Sequence, residues 1–165
     1  LTSPFLQPIQ AFLTSIGLET CEAAVPTDSF LPGVFLRAGT IEFDQQRLSW
    51  PGDLLHEAGH LAVTPAAHRK EIIGTLTPEQ HFPQGGEVEA IAWSFAALSA
   101  IGLPIDVLFH PEGYKGQSTG LAFTYSLGVY PGAFGLELAG LTATPATAAS
   151  LRVPPYPHML HWLRA

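Results

Sequence analysis

The sequence predicts a helix-rich α+β domain with a small sheet ahead of a central helix. Three patterns carry this. Phe5, Ile9, Phe12, Leu13 and Ile16 recur at helical spacing. Residues 33–43 (GVFLRAGTIEF) are rich in β-branched and aromatic side chains. Residues 87–101 form a run that is apolar nearly all round, as a deeply buried helix would be.

The elements come in this order. The first helix runs over 5–16, with Gly17 as its stop. In 33–43 the pair Ala38-Gly39 marks a turn or bulge, giving a hairpin or a bent strand. Ser49 is placed to cap the next helix, with Pro51 in its first turn. That helix should end near Thr64, because Pro65 disfavours helix in the residue before it. Its apolar positions Leu54, Leu55, Ala58, Leu61 and Ala62 make one broad face. Residues 68–76 read as a loop with a brief strand, and 80–86 as a turn. After the buried helix comes a short apolar run, 105–109, then the polar turn HPEGYKGQSTG. Residues 121–141 predict one or two helices broken near Pro131, and the tail 147–165 two short helices separated by VPPYP.

One domain over residues 1–165 fits the length, which suffices for a sizeable core. Seven Lys+Arg against fourteen Asp+Glu give a net charge of −7. With two lysines in the whole chain, neither a phosphate backbone nor an anionic membrane is an expected partner. The uncharged stretches 90–105 and 116–136 are interrupted by Gly and Pro and read as buried elements rather than spans. The first residues lack the basic segment of a secretory signal, and there is no initiator Met, so trimming is allowed for; the expected location is cytoplasmic. A single cysteine, Cys21, excludes a disulfide framework and a Cys-rich zinc finger.

Chemistry concentrates in His56-Glu57-Ala58-Gly59-His60, an HExxH pattern. Residues i and i+4 of a helix lie one above the other, so His56 and His60 can grip one zinc ion from a single rigid element. Glu57 projects to the adjoining flank, within reach of a metal-bound water, and can take its proton as it attacks a carbonyl. Gly59 costs nearly ~1 kcal/mol in a helix interior, which implies that something occupies the space a side chain would fill.

A third ligand must come from elsewhere. A metzincin continuation needs Gly at 63 and His at 66, where this chain has Val63 and Ala66. The segment GGEVEAIAWSFAAL supplies Glu87 and Glu89, 27 and 29 residues after His60. A carboxylate opening so apolar a helix is costly unless it is paired, ligating or facing the helix N-terminus. Glu87 shares a stripe with Ile91, Ser94 and Leu98; Glu89 shares one with Trp93, Ala96 and Ala100. Both stay open, with Glu87 preferred because its stripe carries more aliphatic bulk to face the metal helix.

HEAGH with a downstream Glu at a helix start resembles the gluzincin group of zinc metallopeptidases. More narrowly, EVEAIAWSFAAL resembles the E-x-E-A-N-x-F-A stretch of ImmA/IrrE-type minimal metallopeptidases, over roughly residues 33–104. In that alignment Glu89 falls on the Glu-Ala pair, the family's Asn is Ile91 and its Phe is Trp93. The resemblance implies a zincin-like core, one zinc held by His56, His60 and a Glu, and Glu57 as general base. Peptide deformylases offer another pattern, an upstream Cys ligand with such a helix. Cys21 lies 35 residues ahead of His56, but their aspartate position is Gly59 here, and Cys21 also suits a small core residue.

The remaining histidines are weighed beside this site. His68 and His81 are loop residues able to substitute as ligands. His110 and Tyr114, in HPEGYKG, are candidate donors to the oxyanion of a tetrahedral intermediate. His158 and His161 lack an acidic companion and suit the packing of a terminal helix. The expected function is a zinc-dependent hydrolase, a metallopeptidase, acting on a peptide or protein that could pair with the strand near 40–44. Its rivals are a hydrolase of a non-peptide amide, a metal-stabilised binding or regulatory domain without turnover, and a purely structural domain with no metal.

Overall fold

The computed structural model describes residues 3–165. Helix α1 (Leu6–Ser15) buries Ile9 and Leu13 of the predicted stripe together with Leu6, which lies outside it, while Phe5, Phe12 and Ile16 are half-buried; the chain leaves it through Gly17 at φ 88°. Three short strands come next: β1 (Thr20–Glu22), β2 (Val34–Arg37) and β3 (Thr40–Phe43). β2 and β3 are an antiparallel hairpin whose turn places Ala38 and Gly39 at φ 50° and 85°, the left-handed pair that a tight hairpin of this twist demands. β1 joins β3 in parallel, so the sheet order is β1-β3-β2.

That order corrects the expectation that the strand near 40–44 receives an extended peptide. β3 is the central strand, and both its edges are already paired. It also adds β1, whose three residues were too few for an alternation to be read. Cys21 lies exposed on β1, neither in the core nor in any cluster with His56.

Helix α2 (Gly52–Val63) is buried along all twelve of its residues. It packs between the sheet and α3 (Glu87–Ile101). Its last carbonyls are met by two guanidinium groups, as the negative end of a helix favours, and by one backbone N–H. Arg69 Nε donates to Leu61 O at 3.0 Å, and Arg164 donates from its backbone N to Ala62 O at 2.9 Å and from Nη1 to Val63 O at 3.3 Å. No side chain caps its N-terminus: Pro51 stands there, and Ser49 does not cap.

The rest is helical: α4 (Ile105–Leu108), α5 (Ser118–Ser126), α6 (Ala133–Leu138) and α7 (Pro145–Leu151), with short 3-10 turns at Ala66–Glu71, Pro78–Gln80 and Tyr114–Gly116. The α+β class with a small sheet before α2 therefore stands, and helices dominate the chain beyond the sheet. The brief strand in 68–76 reduces to one bridge between Arg37 and Ile73. The second tail helix does not form. Residues after α7 instead lie along the protein, where Thr142 bridges Met159 and Leu160 and His161 both donate to Leu141 O. Trp93 Nε1 donates to Trp162 O at 2.8 Å and Tyr156 Oη to Ala92 O at 2.8 Å, which ties this tail to α3. Among the described residues, no helix is long and apolar enough to cross a membrane.

Candidate metal centre

The crossing of α2 and α3 sets the site. Gly59 makes it close: a Cβ there would lie 2.6 Å from Ala90 O. Ser94 Oγ bridges the two helices, donating to Leu55 O at 2.9 Å and Ala90 O at 2.7 Å. This approach brings the first residue of α3 over the middle of α2.

Three side chains converge there. His56 Nε2 and His60 Nε2 are 3.3 Å apart. Glu87 brings Oε1 to 3.4 Å from His56 Nε2 and Oε2 to 3.1 Å from His60 Nε2. A tetrahedral ion with bonds of about 2.0–2.1 Å holds its ligands about 3.3–3.4 Å apart. The 3.1–3.4 Å contacts, which Glu87 makes with one oxygen to each imidazole, are of that order; two imidazoles with one carboxylate suit zinc or its first-row neighbours rather than calcium or magnesium. This His/His/Glu cluster, its two histidines buried and its glutamate exposed, is capable of coordinating a metal ion.

Glu89 stands apart from it. Its Oε2 accepts from Gly86 N at 3.1 Å, covering a free donor at the start of α3, and its side chain packs on Gly135 of α6. The two acidic residues that open α3 thus divide into a capping carboxylate and a cluster carboxylate.

Electrostatics prepare the cluster. Burial, then the neighbouring His60, lowers His56 to about 4, so its ring is neutral and a lone pair is free. Burial alone would raise Glu87, but the hydrogen bond with His60 and the charges of His56, His60 and His81 bring it to about 2. For His60, burial is outweighed by the Glu87 hydrogen bond and by Glu57, and its pKa rises. Glu57 is buried beside the trio, and desolvation, reinforced by Glu87 and Asp53, raises it to about 7 against the opposing pull of His60. A cavity of about 140 Å³ reaches Glu57 between β2 and the loop carrying Asp28–Leu31. The trio itself opens to solvent at Glu87, whose side chain is 51% exposed.

Around this core, Tyr114 sets its ring edge-on to His56 at 5.2 Å, and its buried hydroxyl has no hydrogen-bond partner. His110 is not aimed at the cluster: its Nε2 contacts Asp53 Oδ1 at 2.9 Å. His81 stacks on His60 at 5.8 Å without joining the trio. His68 pairs with Glu71 at 2.9 Å, and His158 and His161 are exposed on the tail. Asp53 and Trp50 escaped the sequence reading. Their one signal was phase, since Asp53 precedes His56 and Glu57 by three and four residues on the same helix.

No protein-family model matches the chain, and neither a curated protein nor a solved structure does. The resemblance to gluzincins and to ImmA/IrrE-type peptidases is corrected accordingly. The metal-capable ligands are not supplied by one contiguous motif but assembled from separate helices, His56 and His60 from α2 and Glu87 from α3. The glutamate selected by the ImmA/IrrE alignment, Glu89, is the capping one.

Proposed function

We propose that the protein is a metal-dependent hydrolase, with zinc as its ion and a peptide as its substrate. The observation that carries this is the convergence of His56 Nε2, His60 Nε2 and the Glu87 carboxylate at 3.1–3.4 Å, beside a buried carboxylate reached by a cavity. Two imidazoles and one carboxylate oxygen leave a tetrahedral ion one open position, the arrangement of catalytic rather than structural sites. When bound, the ion supplies Lewis acidity, acidifying a coordinated water and polarising a carbonyl.

The chain's own groups do the rest. Glu57 takes the proton of the attacking water and passes it to the departing nitrogen; a carboxyl raised to about 7 by burial is suited to both directions near neutral pH. Tyr114 offers its unpartnered hydroxyl to the carbonyl oxygen as negative charge develops there. Its pKa is pushed well above the ordinary tyrosine value, by burial and then by Asp53 and Glu87, so it stays a donor.

A peptide is favoured over a small amide by the edge of β2. The segment Ile72–Gly74 covers its C-terminal end, with Ala38 N donating to Ile72 O and Gly74 N to Leu36 O. Alternate residues of a strand direct their backbone groups to one edge. Val34 therefore presents its carbonyl on the same side, where the cavity meets Glu57. The Val34 N–H already donates to Leu31 O, which leaves this carbonyl for an N–H of an extended main chain.

The test is metal content of purified protein, with Glu57→Gln assayed beside wild type on peptide and small-amide panels. Expected are one zinc per chain in both proteins and loss of hydrolysis in the variant by about 10²–10⁴-fold. Protein purified without chelators that binds no zinc, or a Glu57→Gln variant of full activity, overturns the reading. Turnover of small amides alone removes the peptide.

A further inference from the structure

Residues 110–116 leave α4 and return toward the His/His/Glu trio as a turn. Tyr114 and Lys115 lie in it at φ 53° and 54°. Two consecutive non-glycine residues in the left-handed region are strained, and such strain persists only where the surroundings over-determine it.

Three contacts to α2 and its lead-in do so. On the inside, His110 Nε2 meets Asp53 Oδ1 at 2.9 Å, both side chains being buried. At the mouth, the Trp50 ring lies flat on His110, 4.6 Å between centroids and 5° between planes, and its indole N–H donates to Glu112 Oε2 at 3.0 Å. Gly113 lets the turn fold back on this assembly, for a Cβ there would lie 3.1 Å from the His110 ring. The next residue is Tyr114, held edge-on to His56 with a buried hydroxyl that has no partner. An unpaired buried hydroxyl is costly to keep, which fits a partner that arrives with the substrate.

We infer that Trp50, Glu112 and His110 are positioning residues that clasp this turn to α2 and so hold the Tyr114 hydroxyl at the metal centre. The inference rests on the hydrolytic reading above for its consequence in turnover, but not for the clasp itself. It assigns His110 a part that acts through Tyr114 rather than on the substrate.

The test uses the full chain labelled with 3-fluorotyrosine and free of metal. Four tyrosines give four fluorine resonances, and Tyr114→Phe identifies one of them. Trp50→Phe keeps a ring on His110 but removes the donor; Glu112→Ala removes the acceptor. Both should displace the Tyr114 resonance and leave those of Tyr125, Tyr130 and Tyr156 in place. Glu112→Gln, whose amide oxygen can still accept, should restore the wild-type position. With zinc bound, Trp50→Phe and Glu112→Ala should lower kcat about ten- to a hundredfold with KM nearly unchanged. In a Tyr114→Phe background they should lower it no further. An unmoved Tyr114 resonance, or an equal loss of kcat with and without the Tyr114 hydroxyl, overturns the clasp. If instead Glu57→Gln retains full hydrolysis, the hydrolytic reading falls while the fluorine shifts still decide the clasp. Should Trp50→Phe not fold, the Glu112 pair of variants decides alone.

Discussion

Gly59 of α2 and Ala90 of α3 meet where a single added carbon would not fit: a Cβ on Gly59 would lie 2.6 Å from the Ala90 carbonyl oxygen and 2.9 Å from Ser94 Oγ. The carbonyl belongs to a helix backbone and cannot turn aside. Gly59→Ala should therefore destabilise the protein by about 1–3 kcal/mol, outweighing the ~1 kcal/mol that alanine gains in a helix. It should also loosen zinc, because the helix crossing brings Glu87 to the two imidazoles. A urea melt and a zinc titration check this, and a variant at least as stable as wild type would mean that the helices are not in this contact.

This glycine also shows how far the sequence could be read. Its cost inside a helix announced a close neighbour, but nothing in one dimension said which. The same holds for Glu87 and Glu89. Their two stripes on α3 differ by helical phase alone, and the decision comes from Gly86 and Gly135, which take Glu89 as a cap and a packing partner. Helix periods were legible because apolar stripes are local. β1 was not, since a three-residue parallel strand owes its existence to β3, eighteen residues or more away. The tail read as helical from its Leu, Met and Trp residues, yet it runs as turns and bends along the protein, because Leu141 and Thr142 offer backbone partners to its far end.

The division between the two glutamates predicts opposite phenotypes. Glu87→Gln should weaken zinc binding by at least about tenfold while the fold remains, since it replaces a charged ligand by a neutral one. Glu89→Gln should bind zinc as wild type does and lose about 0.3–1 kcal/mol of stability, the worth of a charge at a helix N-terminus. Competition against a chelating dye measures the first and chemical denaturation the second. Equal zinc affinities in the two variants would contradict the geometry of the trio.

Zinc should also raise the thermal midpoint, because the three donors converge only in the folded chain. At a free concentration a hundred times Kd, binding contributes about 2.7 kcal/mol. For a chain of this size that corresponds to a rise of about 5–10 °C. His56→Ala and His60→Ala should each abolish the rise, and a chelator should reverse it in wild type. Calcium and magnesium should have no such effect, given the imidazole donors. A midpoint indifferent to zinc would leave the cluster without an ion to hold.

Far from the cluster, Glu137 links α6 to the start of α7. Its Oε2 accepts from Thr144 Oγ1 at 2.8 Å and from the Thr144 backbone N–H as well. These bonds, the backbone one first, hold its carboxyl below the usual range. A carboxyl depressed in the folded state contributes stability that is present above its unfolded pKa, about 4.3. That contribution fades as pH falls through the folded pKa, because the unfolded chain takes up the proton first. Glu137→Gln has no such proton to bind. The stability gap between wild type and variant should therefore be constant near neutrality and close progressively below about pH 4.3. Urea melts of metal-free protein at pH 7, 5, 4 and 3 measure the gap. A gap that stayed the same at every pH would show that the Glu137 charge does not secure the start of α7.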